Sequence, residues 1–116
     1  MKTCFAALTL LVVLTGWTAK AGDSVCGLAN SKIVSNPAIV NWDLAINQTP
    51  SMKTLVKQKI KKTSPRGIIL LQKAEDKVIK CSTEVMKDDG YDSVWKAIKH
   101  KQKKAPDITQ KIIAKY

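Results

Sequence analysis

The longest amphipathic pattern in the chain covers residues 65–88. Leu71, Ala74, Val78, Cys81 and Val85 recur at alternating steps of three and four, which draws one apolar stripe along a helix. Ile68, Leu70, Ile79 and Met86 broaden the stripe, and Glu75 falls inside it. Ser64 and Pro65 supply a capping hydroxyl and a proline suited to the first helical position, and Gly90 supplies a stop. This spacing predicts a central helix.

Prolines punctuate the remaining sequence. Asn36-Pro37 and Thr49-Pro50 again pair a capping side chain with proline, while Ala105-Pro106 lacks the cap. Residues 23–34 place Val25, Cys26, Ala29 and Ile33 at helical spacing. Residues 37–47 are apolar nearly all round, which predicts a short buried helix. Residues 50–62 put Met52, Leu55, Val56 and Ile60 on one face and Lys53, Lys57 and Lys61 on the other. Lys59 falls in the apolar arc, so either its stem snorkels or the helix frays there. Tyr91, Val94, Trp95 and Ile98 mark a further amphipathic segment with Lys96, Lys99, His100, Lys103 and Lys104 along its outer side, and Asp92 is placed to cap it. Ile108, Ile112 and Ile113 support a last short helix. No alternating pattern of useful length appears, so the expected fold is all-α: a small bundle of five or six short helices around the long central one.

The start of the chain has the form of an export signal. Lys2 precedes an apolar run over residues 4–15, too short to span a membrane comfortably, and Ala19-Lys20-Ala21 has the small-x-small form of a cleavage site. The expected organisation is a signal peptide over 1–21 and a single helical domain over 22–116, secreted and without a transmembrane segment. Cutting there removes Cys4 and Trp17, leaving Trp42 and Trp95 as the large core anchors.

Charge changes the picture next. Removing Lys2 and Lys20 leaves 18 basic groups against 9 acidic ones, a net charge of +9. Such a balance favours an anionic partner. Arg66 is the only arginine; the rest are lysines, which act as point charges and favour diffuse attraction over bidentate phosphate readout. With few aromatics beside the charge, nucleic acid is the poorer match. Two lysine groups stand out as candidate anionic-surface contacts: Lys53, Lys57, Lys61 and Lys62, and Lys96, Lys99, Lys103 and Lys104. A cell-surface polyanion such as a glycosaminoglycan, or a receptor, is the partner they fit. The bland alternative is a solvated face that keeps the protein soluble.

Nothing in the sequence points to a reaction. His100 sits among lysines with no nucleophile or carboxylate close in sequence, and reads as a surface residue. Glu75 reads as a rim carboxylate paired with a lysine, or else as a group lining a cavity. Cys26 and Cys81 are the cysteines left after processing, and in an exported chain two cysteines are most simply one disulfide, with bridges in a covalent dimer as the alternative. The expectation is a monomer closed by Cys26–Cys81, non-enzymatic, with no metal and no cofactor. Asn47-Gln48-Thr49 matches the N-glycosylation acceptor pattern, with Pro50 directly after it discouraging use.

Met1-Lys2-Thr3 with its apolar signal, Cys26, Cys81 and Asn41-Trp42-Asp43-Leu44 together resemble the Drosophila accessory-gland seminal proteins of the 53E cluster. The resemblance implies transfer in seminal fluid and a part in reproduction after mating, through binding. A secretoglobin-like dimer is a second resemblance, in helical content and paired cysteines, although Cys81 lies well inside the chain. Two other functions fit the composition: a cationic antimicrobial or membrane-active protein, and a carrier of a small apolar ligand.

Overall fold

A computed structural model of the chain describes residues 16–116; the apolar run over 4–15, with Cys4, lies outside the described residues. In chain order the elements are β1 (Ser24–Gly27), β2 (Pro37–Ile39), α1 (Trp42–Asn47), α2 (Pro50–Lys57), α3 (Pro65–Asp89), β3 (Ser93–Trp95) and α4 (Thr109–Ile113), with single 3-10 turns at Ala21–Asp23 and Ser31–Ile33. The fold is therefore mixed α/β, not the expected all-α bundle.

The central helix forms as its pattern predicts. Ser64 Oγ accepts the Gly67 amide at 3.0 Å, Pro65 occupies the first turn, and Gly90 closes the helix in the left-handed region at φ 76°. At 25 residues α3 is about 37 Å long. Ala74, Val78, Cys81 and Val85 are buried along it, and they pack with Ala38, Val40, Ala45, Met52, Leu55, Val94, Ile108 and Ile112 into the main core.

The segments after Gly90 and before Trp42 depart from expectation. β3 replaces the predicted helix over 91–104, and β2 replaces the front of the one over 37–47. The strands are three residues long, so a short apolar run carries no clear period. Their faces nevertheless alternate. Val94 and Ala38 enter the main core, whereas Trp95 and Ile39 belong to a second cluster with Trp17, Val34 and Ala105. β3 lies between the other two strands, antiparallel to β1 and parallel to β2. Pro37 is tolerated because it opens an edge strand, where a missing N–H costs no ladder bond. The parallel pair is joined by a long crossover through the helices, as parallel strands require.

β1 and the 3-10 turn Ser31–Ile33 stand where a helix was expected over 23–34. The register of β1 slips between Ser24 and Cys26 against β3. Gly27 follows at φ 79°, and a Cβ there would stand 2.5 Å from the Asp92 carbonyl oxygen and 2.8 Å from Met86 Sδ. Only glycine lets the strand run this close to the end of α3.

Trp17 is buried in the second cluster, and Thr18 pairs with Lys99 as an isolated antiparallel bridge. The chain just before the expected cleavage point thus covers the face of the sheet that carries Trp95.

No disulfide joins Cys26 and Cys81; both are free thiols. Helix geometry separates them. The Cys26 thiol faces Met86 Sδ at 3.9 Å and also reaches Thr83. Thr83 and Met86 project roughly 140–200° around α3 from Cys81, at 100° per residue. Cys81 faces the core and the C-terminal segment instead.

Candidate functional site

The charge on this chain is unevenly distributed. Between Asp43 and Glu75 there is no acidic residue, while Lys53, Lys57, Lys59, Lys61, Lys62, Arg66 and Lys73 all fall in that interval, and all seven are exposed. The seven lie on the hairpin made by α2, its following loop and the first third of α3.

Local structure fixes how these groups are presented. Thr49 caps α2, its Oγ1 accepting the Met52 amide while donating to the Ile46 carbonyl at 2.7 Å. The helix ends at Lys57, earlier than the predicted 62, because Lys59 adopts φ 53° and the Ile60 amide turns back to the Leu55 carbonyl at 2.9 Å. Ile60 packs against the main core, which leaves Lys59 and Lys61 on either side of it in solvent. The fray anticipated at Lys59 is thus an ordered reversal. The Ser64 hydroxyl donates to the Lys61 carbonyl at 2.6 Å. Lys61 and Lys62 then lie directly against Gly67, where any Cβ would collide with their backbone. The loop is held at both ends.

The second lysine group shares no helix face, because the helix expected to display it is absent. Lys96 follows β3, its amide donating to the Asp23 carbonyl at 2.7 Å and its ammonium standing 4.4 Å over the Trp42 ring, a cation–π contact. Lys99 pairs through its backbone with Thr18. The Lys103 amide donates to His100 Nδ1 at 3.2 Å, and the Gln102 amide donates to the same atom at 3.0 Å. Lys104 is exposed in the following loop. His100 is accordingly no free surface residue: it is half-buried, with its ring 4.9 Å from that of Trp17. Near the C-terminus the positive charge is neutralised. Lys111 meets Asp89 at 2.7 Å and Lys115 meets Asp88 at 3.0 Å, and donating hydrogen bonds to these carboxylates raises both ammonium pKa values.

The other singled-out residues have plainer settings. Glu75 is half-buried beside an open groove that Trp42, Asn47 and Lys62 also line. Asn47 is exposed at the end of α1, while Thr49 of the same acceptor pattern is fully buried. Burial raises the pKa of both thiols; at Cys26 hydrogen bonds from Thr83 and the Val94 backbone oppose it. Among the described residues, no group of three or more His, Cys, Asp or Glu side chains could hold a metal ion. No helix among them is long and apolar enough to cross a membrane.

A structural site that the sequence reading missed lies at the other end of the sheet. Asp92 does not cap a helix. Its Oδ2 accepts the Ser35 amide at 2.7 Å, the Asn36 amide at 3.0 Å and the Ser35 hydroxyl at 3.1 Å, and its Oδ1 accepts the Ser93 hydroxyl at 3.0 Å. The Trp95 indole then donates to Ser93 Oγ at 2.8 Å. Burial opposes the charged carboxylate, but these bonds outweigh it and hold the Asp92 pKa below the usual range. The signal available in sequence was Ser35-Asn36, a turn-forming pair, with nothing to link it to Asp92.

Comparison with known proteins finds no matching family model, no matching curated protein and no matching solved structure.

Proposed function

We propose that this is a secreted, non-enzymatic binding protein of the seminal-fluid type, acting in reproduction, which attaches to a receptor or an anionic cell surface through the α2–α3 hairpin. The observation that carries the reading is the acid-free interval from Asp43 to Glu75 with its seven exposed basic residues. Lys111 and Lys115, by contrast, are each balanced by a nearby carboxylate. At the hairpin no acidic group within the interval offsets the field, so an approaching polyanion meets several ammonium groups within about one Debye length. Of the eight lysines expected to make the contact, Lys53, Lys57, Lys61 and Lys62 belong to the hairpin; Lys96, Lys99, Lys103 and Lys104 lie in the segment between β3 and α4.

Retention on immobilised heparin tests the reading. The protein is expected to elute at clearly higher salt than an unrelated protein of equal net charge. Replacing Lys57, Lys59, Lys61 and Lys62 by Glu should abolish the excess, whereas the same replacement at Lys96, Lys99, Lys103 and Lys104 should leave most of it. Equal loss from both sets would reject the hairpin as the contact.

A further inference from the structure

The hairpin carries a second exposed feature besides charge. Val56 in the last turn of α2 is 70 % exposed, and Ile68 and Ile69 in the first turns of α3 are 57 % and 56 % exposed. They are the three most exposed of the large apolar side chains on the described surface, and all sit beside the same loop. Ile69 projects roughly 140–180° around the helix from Ala74 and Val78, which face the core.

Resting on the reading of the hairpin as an anionic-surface contact, we propose that its partner is an anionic phospholipid bilayer. Val56, Ile68 and Ile69 enter the headgroup–acyl boundary while Lys57, Lys59, Lys61, Lys62 and Arg66 remain among the headgroups. Charge complementarity identifies the occupant's sign, and the apolar trio distinguishes the source. A soluble polysaccharide offers charge but no apolar phase, so it would leave these three side chains in water. A bilayer interface satisfies both, because apolar insertion and lysine attraction add. The geometry suits a shallow attachment: the loop is pinned by Ser64, Ile60 and Gly67, so lysines and apolar residues are presented together at one end of the hairpin with little ordering left to do. The mode is peripheral, with the apolar stripe of α3 remaining in the core.

The test is sedimentation with two-to-one phosphatidylcholine–phosphatidylserine vesicles, run beside heparin retention. The partner variant carries Val56→Ser, Ile68→Ser and Ile69→Ser, all at exposed positions, with near-ultraviolet circular dichroism confirming the fold. Expected are salt-sensitive vesicle binding by the natural chain, a loss of about tenfold or more in the triple variant, and an unchanged heparin elution. A separate Ile69→Trp variant should show blue-shifted emission only with anionic vesicles. Vesicle binding unaffected by the triple substitution, or heparin retention without vesicle binding, overturns the bilayer assignment while leaving the charge reading intact. Retention on neither, beyond the charge-matched control, overturns both.

Discussion

The Asp92 carboxylate receives the Ser35 amide at 2.7 Å across a separation of 57 residues. This bond, with those from Asn36 and Ser93, fastens the approach to β2 onto the approach to β3. Asp92→Ala strands two backbone amides and two hydroxyls, and the expected loss is on the order of 2–3 kcal/mol in urea unfolding. The same carboxylate sets an acid limb. Its pKa is lowered in the folded chain, so its contribution is present above the unfolded value of about 3.9 and is lost as pH falls through the lower folded value. In Asp92→Asn that part of the acid limb should disappear.

At the opposite extreme of pH, Tyr116 governs. Its hydroxyl donates to the Ala45 carbonyl at 2.6 Å, tying the last residue to α1, and burial pushes its pKa up to about 12, with the Cys81 thiolate adding a smaller repulsion. A raised acid pKa means that the stabilising bond is fully present below the unfolded value near 10 and is lost as pH rises through about 12. Because much of the ring remains in solvent, the loss is expected to be roughly 1 kcal/mol after screening. Comparing the alkaline stability curves of the natural chain and Tyr116→Phe isolates it from the lysines that titrate in the same range.

Ser82 is fully buried on α3, and its Oγ has no hydrogen-bond partner. Removing an unsatisfied buried hydroxyl relieves a desolvation cost of about 1 kcal/mol or more. Ser82→Ala is expected to be neutral or stabilising by up to about 1 kcal/mol, whereas Val78→Ala, one turn away in the same helix, should cost about 2 kcal/mol through the cavity it leaves.

The two thiols should differ in reactivity. Cys81 is 2 % exposed, while Cys26 is half-buried at the sheet. With a water-soluble disulfide reagent under native conditions, Cys26 is expected to react first and Cys81 only at the rate of unfolding. Both should react at once in denaturant, and non-reduced material should contain no Cys26–Cys81 bridge.

Trp17 raises a question that a comparison of two chains answers. Cleavage after Ala21 would remove it from the cluster of Val34, Trp95 and Ala105, and with it the ring that stands beside His100. A chain starting at Gly22 is expected to be less stable than one starting at Gly16 by about 3–5 kcal/mol, the usual cost of emptying a buried tryptophan site. Its emission should also shift red as Trp95 meets water.

How much of this was legible beforehand follows from length. α3 has seven turns, a cap, a proline and a terminal glycine, so its pattern accumulates enough repeats to be unambiguous. Val94-Trp95 and Ala38-Ile39-Val40 offer two and three adjacent apolar residues, which suit a helix face as well as a strand buried on both sides. Only pairing partners far along the chain decide between them. Pro37 was misleading for a related reason: the same residue that starts a helix can start an edge strand. Lys53 and Lys57 lie on α2 as expected, whereas the helix that was to align Lys96, Lys99, Lys103 and Lys104 is absent. The disulfide was argued from compartment and number, which say nothing about which side of α3 each thiol faces.

The three-residue strand β3 has a consequence for the order of folding. Every partner it meets, Ser24 to Gly27 on one side and Pro37 to Ile39 on the other, is more than fifty residues away along the chain. The α2–α3 hairpin closes over a loop of seven residues, 58–64. Loop-closure entropy therefore puts the hairpin early and the sheet late. Substitutions in the sheet should then appear chiefly as faster unfolding, and those in the hairpin as slower folding. Until the sheet closes, the newly made chain would present its basic helical arm on an otherwise unfinished molecule.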